Sequence, residues 1–144
     1  MKKLAISMMI FCSLMAVSVA AWCGDNGNGT VTVNGQVWLK DAGCMGKMNW
    51  NDAMTRPKSL ADGQCGLTDK SKAGDWRLPT LDELKAMYAV KSQFKNVVAA
   101  HYWSSSTIAS NTDYAWLVYM FRDEVSRASK NSPFYYVWPV RAVK

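Results

Sequence analysis

Apolar and polar positions alternate with a period of two near both ends of the chain and recur at helical spacing in its middle. Thr30-Val-Thr-Val33 and Gln36-Val-Trp-Leu-Lys40 flank Asn34-Gly35. Asn-Gly suits the two positive-φ positions of a type I′ turn, so this stretch predicts a β-hairpin. The preceding Asp25-Asn-Gly-Asn-Gly29 has the look of a calcium loop, but Gly27 and Gly29 fall where such a loop needs oxygen ligands, so it reads as a turn. Asn49 is placed to cap a helix through Trp50, Ala53, Met54 and Leu60, with Asp52 in its first turn. Pro57 falls inside that pattern and is expected to end or kink the helix near Arg56. A polar, glycine-flanked loop over residues 65–75 leads into Trp76-Arg-Leu-Pro-Thr80. Thr80 and Glu83 then form a capping box ahead of Leu81, Leu84, Met87 and Tyr88, which predicts a second helix.

From Tyr102 onward the period returns to two. Over residues 114–121, Trp116, Val118 and Met120 share one face, and Ala115, Leu117, Tyr119 and Phe121 the other. Residues 134–143 alternate similarly, with Tyr136, Trp138, Val140 and Ala142 together; Pro139 puts this last strand at an edge or on a bulge. A hairpin, two helices and a small antiparallel sheet make an α+β domain.

The first residues do not belong to that domain. Met1-Lys2-Lys3 is followed by an uncharged, mostly apolar run over residues 4–19, then by the small residues Ala20 and Ala21. This is the form of a signal peptide over residues 1–21, leaving residues 22–144 as one exported domain destined for the periplasm, the cell surface or the medium. A retained anchor is the rival reading; the run is short for a membrane span, and no stop-transfer charges follow it. Phe11 before Cys12 and Trp22 before Cys23 do not give the small-residue context of a lipoprotein signal.

Composition changes the picture in two respects. Six of the seven tryptophans lie downstream of Trp22, so they mark core or binding face. Without Lys2 and Lys3 the chain keeps 15 basic against 11 acidic residues, about +4, which favours acidic partners. The basic residues are scattered rather than clustered, which argues against nucleic acid. Of the three cysteines outside the signal segment, Cys44 and Cys65 flank the first helix and are the preferred disulfide in an oxidising compartment. Cys23 is left near the mature N-terminus, free or cross-linking a second copy into a homo-oligomer. Three thiols without CxxC spacing and a distant His101 do not make a zinc site.

Four stretches occur in an order that resembles a bacterial family, the Lcl C-terminal domain, named for the end of a collagen-like adhesin. They are Gly29-Thr-Val-Thr…Val37-Trp38, Gly74-Asp-Trp-Arg-Leu-Pro-Thr80…Glu83-Leu84, Tyr102-Trp-Ser-Ser-Ser106 and Val137-Trp-Pro-Val-Arg141, with Ala115-Trp116 between them. The resemblance implies a C-type-lectin-like fold whose first and last strands pair, and an extracytoplasmic role in adhesion or ligand binding. The founding adhesin binds sulfated polysaccharide. Pro57 and the lack of an accompanying collagen-like region are departures from the pattern. The shared tryptophans, with Leu78 and Val140, are expected in the core; Arg77 and Arg141 either pair with carboxylates or backbone carbonyls, or meet a ligand.

Catalytic chemistry finds little support. His101 is the only histidine, and Ser104, Ser105 and Ser106 follow it on one extended segment, where neighbours point to opposite faces and no third group orients the imidazole. The segment at Trp76 also resembles the formylglycine-generating enzymes, but nothing after Cys65 is a cysteine, which excludes that chemistry. Trp50-Asn51-Asp52 carries the letters of a calcium-lectin tripeptide at a helix start rather than in a late strand. The sequence therefore points to no enzyme, no cofactor and no metal.

What remains is a binding surface, for which Tyr114, Tyr119, Phe121, Arg122, Arg127, Lys130, Phe134 and Tyr135 are the candidates. Aromatic faces stack on sugar rings and cations pair with sulfate or carboxylate, so this composition suits an acidic polysaccharide. A structural or protein-interaction subunit of the envelope or an appendage is the alternative. A further one is a diversified receptor-binding protein, because Ala115, Trp116, Val118, Met120, Val125 and Lys130 alternate with residue types that adenine-directed mutation of Asn codons yields; Glu124 fits that scheme poorly.

Overall fold

The computed structural model describes residues 23–144, so the signal segment expected over residues 1–21 lies outside the described residues. Two small sheets and two short helices make up the fold. The first sheet contains β1 (Cys23–Asp25), β2 (Thr30–Val33), β3 (Gln36–Leu39) and β9 (Val140–Ala142), in the order β1-β2-β3-β9 and antiparallel throughout. The second contains β4 (Lys47–Met48), β5 (His101–Thr107), β6 (Tyr114–Tyr119), β7 (Glu124–Ser129) and β8 (Tyr135–Tyr136), in the order β4-β8-β5-β6-β7. Within it only β8 and β5 run parallel.

The predicted hairpin is β2–β3, with Asn34 and Gly35 at φ 49° and 77°. The Asp25–Gly29 segment is the expected turn, closed by the Gly27 amide donating to Asp25 Oδ1 at 2.9 Å. Gly29 is needed for a second reason: a Cβ there would lie 2.4 Å from the carbonyl oxygen of Gly66. Helix α1 (Trp50–Thr55) starts at Asn49, whose side chain accepts from the Asp52 amide, and gives way to a 3-10 turn (Arg56–Ser59) with Pro57 in its first positions. The proline thus ends the α-helix where the missing N–H predicts. Helix α2 (Leu81–Ala86) carries the complete Thr80/Glu83 capping box and continues into a second 3-10 turn (Tyr88–Gln93). Cys44 and Cys65 form the expected disulfide, bracketing α1.

Three expectations need correction. The last strand joins the N-terminal sheet by pairing with β3 rather than with its first strand. The alternation over residues 134–143 is not one strand: β8 belongs to the second sheet and β9 to the first, and the buried segment Val137-Trp138-Pro139 carries the chain between them. Pro139 has no N–H for a ladder, but its carbonyl accepts from Leu39 at 3.1 Å, which fits β9 at the sheet's edge. Cys23 is not at a frayed end: it lies in β1, pairs with Val33 and is 6% exposed, so a cross-link through it would require β1 to leave the sheet.

The second sheet separates two cores. Tyr102 and Val118 face each other across β5 and β6 and pack with Leu84, Met87, Trp38, Trp76 and Trp138. Their neighbours Trp103 and Leu117 pair on the opposite face and pack with Ala53, Met48, Leu78 and Val137. The buried tryptophans are anchored through their N–H groups: Trp103 to the Met48 carbonyl at 2.8 Å, Trp138 to that of Leu39 at 2.9 Å. For Trp76 no acceptor is present among the described residues; the Arg141 guanidinium lies 5.3 Å from its ring.

Candidate functional site

The register of β5, β6 and β7 fixes which candidates share a face, because directly paired residues point the same way. His101 pairs with Tyr119, and Tyr119 with Glu124. These belong to the face of Trp103 and Leu117. Along it the rings follow one another: Tyr135 is 5.1 Å from Trp103 and 5.8 Å from His101, His101 is 4.5 Å from Tyr119, and Tyr119 is 6.0 Å from Phe121. Phe121 is 53% exposed, and the Arg122 guanidinium sits 5.6 Å from its ring.

The way these rings stand decides what they present. His101 and Tyr119 are parallel to within 11° at a separation close to the spacing between strands. Two rings that near, one per strand, stack face to face and stand upright on the sheet, so solvent meets their edges. The middle of the row thus offers polar edges rather than a flat stacking platform, and exposed ring face is concentrated at Phe121. Burial lowers the pKa of His101 below its ordinary 6.5, against the pull of the Glu124 carboxylate, so the imidazole is neutral near pH 7.

Of the eight residues nominated from sequence, Tyr119, Phe121, Arg122 and Tyr135 come together in this row. Tyr114 and Arg127 do not: they pair with Ser129 and Trp116 on the opposite face of the sheet. The separation follows from the period-two geometry of β6 and β7, which composition alone does not register. Lys130 is held at the start of α1, its ammonium 4.1 Å from the Trp50 ring and its carbonyl accepting from the Trp50 amide at 3.0 Å. Phe134 stands in the loop before β8, 68% exposed. Sequence reasoning missed His101 as part of the row; its position two residues before Trp103 on one strand was the available signal. Leu117 and Ala128, interspersed positions of the diversification scheme, are buried in the core, so those positions do not form one continuous surface.

The remaining motif residues serve the frame. Arg77 makes a two-pronged pair with Glu83, both contacts at 2.7 Å, and Gln36 of β3 donates to the same carboxylate. Arg141 pairs with Asp69 at 3.0 Å, their side chains 8% and 0% exposed. The serines after Trp103 sit where the β5–β6 register shifts. Ser104 Oγ donates to the Trp116 carbonyl at 2.8 Å, and Ser106 Oγ accepts from the Leu81 amide at 3.0 Å, tying the bulge to the start of α2.

Together these features define a small α+β domain with two sheets, a disulfide-bracketed first helix and an aromatic row at one sheet end. Residues 29–141 match the family model of the Lcl C-terminal domain, and the chain belongs to that family. No curated protein matches the sequence.

Proposed function

We propose that this is an exported binding domain, not an enzyme, and that the row Tyr135–His101–Tyr119–Phe121 with Arg122 receives an acidic saccharide. The observation that carries the reading is the row itself: half-exposed aromatic rings ending in a guanidinium beside an exposed phenyl ring. Phe121 supplies a stacking face and Arg122 a partner for sulfate or carboxylate. Glu124, opposite Tyr119, is suited to accept from ring hydroxyls. The excess of basic residues assists approach of a polyanion. Among the described residues no helix is long and apolar enough to cross a membrane. The test is binding of the chain without residues 1–21 to immobilised heparin and to an uncharged glucan. Retention on heparin that Arg122→Ala and Phe121→Ala each weaken at least several-fold supports the reading; equal retention on both polymers contradicts it.

A protein-interaction role is the second reading, favoured by a different observation. Val125 and Phe134 are exposed apolar side chains, and β7, which bears Val125, is an edge strand of the second sheet. It predicts concentration-dependent self-association in sedimentation velocity that Val125→Lys removes.

A further inference from the structure

The segment following the second 3-10 turn wraps past the end of β6 and leaves a cleft of ≈ 330 Å³ between itself and Phe121. That volume is at the lower end of the range for small-molecule sites and suits a single ring rather than an extended chain. Val97, Val98, Ala99, Met120 and Phe121 supply apolar lining. Phe121 and Val98 are both among the chain's exposed large apolar side chains, so the lips of the cleft stand open to solvent.

Among the described residues lining the cleft, Lys91 bears the only charge. Its ammonium donates to the Met120 carbonyl at 2.7 Å and lies 4.1 Å from the centroid of the Tyr88 ring. Most surface lysines lose considerable side-chain entropy when they bind; this one is already held, and the carbonyl takes one of its three donors. A fixed cation in an acid-free, partly apolar cleft is complementary to an anion carried on a ring with an apolar face. Phe121 forms both the end of the aromatic row and part of the lining of this cleft, so the two regions meet at that ring.

We propose that the cleft is a subsite for one anionic sugar ring, its carboxylate or sulfate on Lys91 and its ring between Val98 and Phe121. The inference rests on the acidic-saccharide reading above and adds where the charged unit of that saccharide sits. Methyl β-D-glucuronide, methyl β-D-glucoside and acetate serve as probes in amide NMR titrations of the chain without residues 1–21. Methyl glucuronide is expected to shift the amides of Ser92, Val97, Val98, Ala99 and Phe121, with at least tenfold weaker binding in Lys91→Met. Val98→Asp, which leaves the Lys91 contacts in place, is expected to weaken it similarly by placing a like charge at the lip. Equal shifts with the glucoside show that the charge is not read, and equal shifts with acetate show that the ring is not; either overturns the proposal. Glucuronide silence while heparin still perturbs Tyr119 and Arg122 overturns the subsite but leaves the broader reading standing. Silence with both sinks the two together.

Discussion

Glu83 joins three parts of the chain through one carboxylate. It accepts both prongs of Arg77, the Thr80 amide at 2.8 Å and the side chain of Gln36 from the first sheet. The Arg77 guanidinium is the largest influence on its pKa, which falls to about 2 from 4.5 despite burial. A depressed carboxylate stabilises the fold above its unfolded pKa and loses that contribution as pH falls through the folded value. Stability should therefore decline between about pH 4.5 and about 2, and Glu83→Gln should flatten that decline in urea titrations at stepped pH. Arg77 is about half exposed, so the pair itself adds little; removing the N-cap hydroxyl with Thr80→Ala should cost about 1 kcal/mol at neutral pH. Arg141 and Asp69 differ because both are buried. Arg141→Met leaves the Asp69 carboxylate without its charge partner, held only by the Ser71 amide and hydroxyl, and a loss of about 3–5 kcal/mol is expected by equilibrium unfolding. The capping box was legible from the Thr80–Glu83 spacing. The Arg141–Asp69 pair was not, because nothing local connects residues 72 apart, and sequence left Arg141 divided between a structural and a ligand role.

At the scale of elements, what was legible was whatever a local rule determines. The Asn34-Gly35 hairpin, the Pro57 stop and the α2 start each depend on a few adjacent residues. The break between β8 and β9 depends on which sheet each segment reaches, and alternation reads the same through Trp138 and Pro139 either way. The split of the candidate site has a similar origin: Arg127 and Tyr119 are near in sequence, yet pairing puts them on opposite faces. The disulfide Cys44–Cys65 joins residues 21 apart in sequence and brackets α1. Reduction, or Cys44→Ser with Cys65→Ser, should lower unfolding stability by about 3 kcal/mol, read as the difference between oxidised and reduced urea curves. His101, half-buried beside Tyr119 with only Glu124 favouring its charged form, should add a cation to the aromatic row only below its ordinary pKa. Binding to a sulfated polysaccharide, which stays ionised, should strengthen as pH falls below about 6.5, while His101→Phe should leave that range flat.

Over the whole molecule, the ordered motifs account for the frame. Trp76 and Trp138 fill one core, Trp103 the other; Arg77 and Arg141 pair with carboxylates, and the serines after Trp103 satisfy a bulge. The residues with exposed aromatic and cationic groups lie largely outside those motifs, in the β6–β7 turn, the loop before β8 and the segment around Val98. Sequence therefore revealed the family and the α+β class more readily than the surface, because the frame is written in repeated motifs and the surface only in strand register. The central claim is that the aromatic row of the second sheet, and not the surface bearing Tyr114 and Arg127, receives an acidic saccharide. The most direct test is heparin binding at low and high salt with paired variants, Tyr119→Ala/Arg122→Ala on one face and Tyr114→Ala/Arg127→Ala on the other. Salt-sensitive binding lost at least tenfold in the first pair, and changed no more than two- to threefold in the second, is the expected result. Equal losses from both pairs, or loss confined to Tyr114 and Arg127, would contradict the account.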